Sequence, residues 1–235
     1  MKERGMIFNG EMVRAILDGR KTQTRRIVNW RGLSEGLNLN FSGLKVGEYP
    51  KGWVIESETR SSTEWLCQPT PCPFGAVGDR IWVRETFQGP LFDFEKMEAY
   101  QEDSTKFQKP EFCVFKADGT PAPEFFDADE NLRCCWRPSI HMPRWASRIT
   151  LDITNVGVQR LQSISQNDAA CEGLIKLPAT GRYCLNQGDQ YFGGASHDAR
   201  EVYSWLWESI YGEGSWQANP WVWVIEFKRV EGGRA

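Results

Sequence analysis

The stretch GRKTQTRR, residues 19–26, decides how the rest of the chain is read. It sets four cationic side chains and two threonines into eight residues of a chain whose formal net charge is −3. Just before it, Met12, Val13, Ile16 and Leu17 recur at helical spacing, and Gly19 is placed to end that helix at about Asp18. The octapeptide therefore stands where a short helix stops and a new element begins. It is a solvated turn, a phosphate clamp or part of an active site.

The charge around it is uneven. Between Arg14 and Arg31 there are six Lys or Arg and one acid, Asp18, and from Asn131 to Leu151 four arginines and no carboxylate. Leu91 to Glu130 holds eleven Asp or Glu against four Lys, which masks the basic segments in the total and marks an acidic insertion. At 235 residues, 40% hydrophobic and 25% charged, the composition is that of a folded globular protein, and neither disorder nor a fibrous class is indicated. No apolar run approaches the ~20 residues that span a bilayer, and MKERGMIFNGEMVR has no apolar signal core, so a cytoplasmic protein without a membrane partner is expected. Seven cysteines fit reduced thiols better than a disulfide framework.

Outward from the octapeptide, residues 31–71 are rich in Gly, Ser, Asn and Pro and read as an irregular insertion. The regular fold resumes near Cys72. Gly78 and Asp79 form a turn, and Ile81, Val83 and Glu85 alternate against Trp82, Arg84 and Thr86 in a strand. After the insertion near 91–135, RITLDITNVGVQRL alternates as a second strand. SISQNDAACEGL gives a short helix capped by Ser165 or Asn167 and ended by Gly173. Residues 175–197 are Gly-rich and unpatterned, DAREVYSWLWESIYG is an amphipathic helix, PWVWVIEFKRV is a last strand, and 231–235 is a loose tail. This order predicts a single α+β domain over 1–230, a small, partly open β-barrel with short flanking helices and long loop insertions.

The spacing Gly19-x-Lys21-x-x-Thr24-x-Arg26 resembles the signature of the ASCH domains, a branch of the PUA-like β-barrel superfamily. Further pieces agree in order: the Gly78–Asp79 turn before a strand, LQSISQNDAACEG, and VWVIEFKRV, together about half of the chain. Over its whole length the chain is also similar to phage and prophage ASCH-like proteins. One branch, the bacterial acetylcytidine amidohydrolases, uses a Lys, a Thr and a Glu at these motif positions, which fall on Lys21, Thr24 and Glu172. Thr24 stands where the general signature has Glu, which leans toward that branch, whereas the hydrolases are far smaller and lack the insertions.

The resemblance implies amide hydrolysis of an acylated nucleoside without a cofactor: Thr24 as nucleophile, Lys21 as its base, Glu172 as proton shuttle and Arg26 at the oxyanion. The alternatives are a non-catalytic reader of RNA or modified DNA and a ribonuclease. In the plainer reading of the residues, Lys21 and Glu172 form an ion pair, Thr24 caps a turn and Arg26 binds a phosphate. Arg20 and Arg25 are expected at solvent or phosphate. Arg26, Arg25, Trp82, Arg84, Arg144 and Trp145 are the substrate-binding candidates, since cations meet phosphates and aromatic rings beside arginines can stack bases. They are equally readable as core tryptophans covered by arginine stems. Cys67, Cys72, Cys134, Cys135 and His141 have spacings poorly suited to zinc, so no metal is expected. The partner is a nucleoside, nucleotide or nucleic acid, with the acidic insertion available to a host protein.

Overall fold

A computed structural model describes residues 1–41, 43–57, 64–126 and 131–230, so the expected loose tail at 231–235 lies outside the described residues. In chain order the elements open with β1 (Glu3–Ile7), α1 (Gly10–Leu17), β2 (Gln23–Ile27), β3 (Leu44–Tyr49) and β4 (Gly52–Ser57). Next come β5 (Arg80–Arg84), β6 (Phe87–Gln88), α2 (Met97–Glu102), β7 (Val114–Phe115), β8 (Glu124–Phe126) and β9 (Leu132–Cys134). The chain continues through β10 (Thr150–Arg160), α3 (Gln166–Cys171), β11 (Ile175–Lys176), β12 (Tyr183–Cys184), β13 (Ala195–Ser196), α4 (Ala199–Tyr211) and β14 (Trp221–Arg229). This is a mixed α+β structure with a multi-strand sheet and few helices. Among the described residues no sheet closes into a barrel and no helix is long and apolar enough to cross a membrane.

The chain divides into two compact units. The first takes residues 1–19, 79–152 and the C-terminal end from 229. There β1 runs parallel to β5, and β5 pairs antiparallel with the start of β10 through Trp82–Thr150 and Ile81–Leu151. Ile81, Val83 and Leu151 are buried, as the alternation requires. Asn9 caps α1 by accepting from the Met12 N–H at 2.8 Å. Within the acidic insertion, residues 92–112 are held by aromatic packing: Phe92 lies 4.7 Å from both Tyr100 and Phe107, and Phe107 lies 4.9 Å from Phe112.

The second unit takes residues 20–78 and 153–228. It holds the remainder of β10, then β14 and β2 in that strand order, with β14 and β2 antiparallel and Thr24 opposite Ile225. Its longest helix, α4, buries Ala199, Val202, Tyr203, Leu206 and Trp207, an i, i+3, i+4 stripe that accounts for a helix there. Asp198 caps it through the Arg200 N–H at 2.8 Å.

Two sequence expectations need correction in this unit. Residues 31–71 are not irregular throughout, because β3 and β4 form an antiparallel hairpin from Leu44–Ser57 to Tyr49–Gly52. Val54, Ile55 and Glu56 are all buried in β4, so the pattern there is not the simple alternation that marks a strand in sequence. Residues 175–197 likewise contain a small antiparallel sheet in the order β11-β12-β13, whose two-residue strands are too short to show a period.

Candidate functional site

The octapeptide contributes Lys21, Gln23, Thr24 and Arg25 to the buried polar residues of the second unit. Gly19, with φ at +76°, ends α1 in the left-handed region, and the chain enters an extended course. Lys21 then makes a backbone bridge to Glu172, the Thr22 N–H donates to the Cys171 carbonyl at 2.9 Å, and β2 begins at Gln23. On the other side, Ser165 caps α3 by accepting from the Asp168 N–H at 3.0 Å. The helix is only six residues long, and Glu172 is its C-terminal cap. A capped, single-turn helix and an extended strand thus bring together residues about 150 positions apart in the chain.

What they build is a complete ion-pair network. Lys21 Nζ donates to Glu172 Oε2 at 2.7 Å and to the Glu172 carbonyl at 2.9 Å. Arg25 Nη1 donates to Glu172 Oε1 at 2.8 Å and to Gln23 Oε1 at 3.1 Å. Gln23 Nε2 reaches Asp168 Oδ1 at 2.9 Å, and Arg25 Nη2 stands 4.0 Å from Asp168 Oδ2. With its side-chain oxygen turned to Arg25, Gln159 accepts from Nε at 3.2 Å and from Nη2 at 2.9 Å. Two cations face two carboxylates, each oxygen of Glu172 holding one cation. Desolvation of such buried charges is offset only when partners are this complete.

Burial shapes the protonation of the network. Lys21 is 2% exposed. Loss of solvent pushes its amine below the ordinary lysine value, the Glu172 carboxylate pulls it back, and the Arg26 and Arg25 charges add to the downward shift. For Asp168, burial raises the carboxyl, but hydrogen bonds from Ser165 and Gln23 and the Arg25 charge outweigh it and hold the group below its usual range. Tyr203, presented by α4, is pushed well above the ordinary phenol value, first by burial and then by the Glu172 charge.

Thr24 is arranged differently. In an extended strand successive side chains point to opposite faces, so Gln23 and Arg25 face one way while Thr24 and Arg26 face the other. Across the β2–β14 ladder, Thr24 stands opposite Ile225 and Arg26 opposite Trp223, both buried apolar residues. Thr24 is 0% exposed and its hydroxyl makes no hydrogen bond. An orphan hydroxyl of that kind costs about 1–3 kcal/mol. Arg26 is half-buried and donates through Nη1 to the Arg25 carbonyl at 3.2 Å.

Lys21 and Glu172 are therefore brought together, and Thr24 hydrogen-bonds to neither. Arg25, expected at solvent, is corrected to a fully buried clamp on Glu172, because the period of two in β2 gives it the same face as Gln23. Sequence reasoning missed Gln23, Gln159, Asp168 and Tyr203. One signal was present: Asp168 and Glu172 are i and i+4 along the α3 segment, a spacing that puts two carboxylates on one side of a helical turn.

The remaining candidates sit in the first unit. The Arg84 guanidinium lies 5.5 Å from the Trp82 ring and donates to the Ser139 carbonyl at 3.1 Å and to the Ile140 carbonyl. Arg144 pairs with Glu3 at 2.9 Å, and Trp145 packs against a core of Phe87, Phe115, Met142 and Ala146. Arg148 forks between Glu85 at 3.0 Å and Asp118 at 2.7 Å. The segment 131–151 lacks carboxylates of its own, but Glu3, Glu85 and Asp118 come to it from elsewhere in the unit and compensate two of its four arginines, Arg144 and Arg148. Among the described residues no three His, Cys, Asp or Glu gather as metal ligands, and all seven cysteines are free. No protein-family model matches the chain, and no curated protein or solved structure matches it.

Proposed function

We propose that the protein is a PUA-like, ASCH-type protein, its strands belonging to a partly open barrel, and that it hydrolyses an acyl amide on a modified nucleoside. The observation that carries this reading is the meeting of Lys21 Nζ with Glu172 Oε2 at 2.7 Å in a dry interior. Transfer of one proton within such a pair turns ammonium and carboxylate into amine and carboxylic acid, a general base beside a general acid. Burial of Lys21 favours its neutral amine, whereas the Glu172 carboxylate opposes it.

Chemistry then follows in two displacements. The Lys21 amine takes the Thr24 hydroxyl proton as Oγ1 attacks the acyl carbonyl, and Glu172 gives its proton to the departing exocyclic amine. Water, deprotonated by the pair, cleaves the Thr24 ester to release the carboxylic acid and restore the hydroxyl. An unpartnered buried hydroxyl suits a group whose partner is the substrate. In the conformation described here Thr24 is buried across the strand from the Lys21–Glu172 pair, so the reaction requires β2 to rearrange when substrate binds.

Incubation of the protein with acetylcytidine, followed by chromatographic detection of cytidine, tests the proposal. Turnover is expected to fall by about 10²–10⁴ in Lys21→Met and in Glu172→Gln. An absence of turnover with any acylated nucleoside would overturn it.

A second reading is favoured by one observation, the completeness of the Arg25–Glu172–Lys21 network across the strand from Thr24. In that reading the network is a structural clasp fixing α3 to β2, and the protein binds a nucleoside or nucleic acid without reaction. Retained, salt-sensitive binding with no turnover identifies this case.

A further inference from the structure

The second unit contains a cavity of about 570 Å³ built from residues outside the ion-pair network. That volume is within the range of ligand pockets, about 300–1,000 Å³. One wall is Trp221, whose ring carries the Arg160 guanidinium at 4.3 Å. Arg160 is locked there, donating to the Asn219 carbonyl at 3.2 Å and to the Leu39 carbonyl. The result is an aromatic wall capped by a hydrogen-bonded cation.

The loop beside it is pinned in an unusual course. Asn219 has φ at +42°, the one non-glycine residue in that region among the described residues, and its Oδ1 accepts from the Gln162 N–H at 2.8 Å. Gln162 Nε2 donates in turn to the Trp216 carbonyl at 2.9 Å. Against this fixed frame stand uncommitted groups. The side-chain amides of Asn40 and Gln217 line the cavity without hydrogen-bond partners among the described residues, and the Phe41 ring at its edge is 47% exposed. The Trp221 Nε1–H is buried without an acceptor, and the residue as a whole is 9% exposed.

We propose that this cavity is a second binding site, for a neutral planar heterocycle of the nucleobase class. A carboxamide offers one acceptor and two donors in a plane, the complement of the donor–acceptor edge of a base. Phe41 and the Arg160–Trp221 surface supply faces on which such a ring stacks. No carboxylate lines the cavity, and its one cation is already held by carbonyls, so the chemistry selects neither a cation nor an anion. Aromatic rings with amides also bind sugars, which stack through C–H faces. The guanidinium held 4.3 Å from the indole centroid favours the heterocycle, because an aromatic base stacks on a guanidinium as well as on an arene.

The site stands apart from the proposed hydrolysis, and its test is made in Lys21→Met protein, where that chemistry is removed. Adenosine, cytidine, guanosine, uridine and, as a sugar comparator, maltose are titrated calorimetrically. At least one nucleoside is expected to bind, more tightly than maltose, and Phe41→Ala and Gln217→Ala, both at exposed positions, are each expected to raise Kd about fivefold or more. Absence of nucleoside binding, binding unchanged in both variants, or preference for maltose would each overturn the proposal. Turnover of acetylcytidine by the unmodified protein is a separate readout, so either result stands without the other.

Discussion

Glu172 is the residue on which the second unit's interior depends, because its two oxygens are the counter-charges for both Lys21 and Arg25. Glu172→Gln leaves two buried cations with only Asp168, 4.0 Å from Arg25, to offset them. Its expected cost, read from urea unfolding, is about 3–5 kcal/mol. Lys21→Met removes one cation and keeps the Arg25–Glu172 pair, so it is expected to cost less. An equal or larger loss in Lys21→Met would contradict this account of the network. Lys21 also sets a pH dependence. Its folded pKa is lowered, so between that value and the ordinary 10.5 the unfolded chain holds a proton that the folded one does not. Stability must therefore rise with pH across that window, and the rise should shrink in Lys21→Met, measured by urea unfolding as the pH is raised toward 10.5.

At the scale of elements, α3 converts a local sequence signal into a remote placement. Ser165 closes its first turn, and that turn delivers Asp168 and Glu172 to β2. Ser165→Ala is expected to cost about 1 kcal/mol in unfolding free energy, and an unchanged midpoint would show that the cap does not hold the turn. This helix was legible in sequence, as were α1, β5, β10, α4 and β14, because each carries a cap, a turn or an apolar period in one continuous segment. Others were not. β1 buries only Met6 of its five residues, which is too little to show an alternation. The β3–β4 hairpin is diluted by glycines and by Glu56, a buried carboxylate that accepts a hydrogen bond from the Tyr49 hydroxyl. β2 was legible as position but not as orientation. A cation in a charged octapeptide is ordinarily at the surface, and only the distant Glu172 and Gln159 make a buried Arg25 tolerable.

For the whole molecule, the net charge of −3 conceals how the basic residues are spent. In the first unit Arg144 and Arg148 are paired to carboxylates, and in the second Lys21 and Arg25 are consumed by Glu172. At least four of the ten basic residues in the two basic segments are thus matched by carboxylates, which reduces the charge free to meet a phosphate backbone. The proposed activation of Thr24 by Lys21 and Glu172 against an acyl amide leaves a covalent trace, readable by intact-protein and peptide mass spectrometry of the protein quenched during turnover of acetylcytidine. An acetyl adduct is expected on the peptide bearing Thr24, absent in Thr24→Val and in Lys21→Met. Turnover without that adduct, or turnover undiminished in Thr24→Val, would contradict that activation.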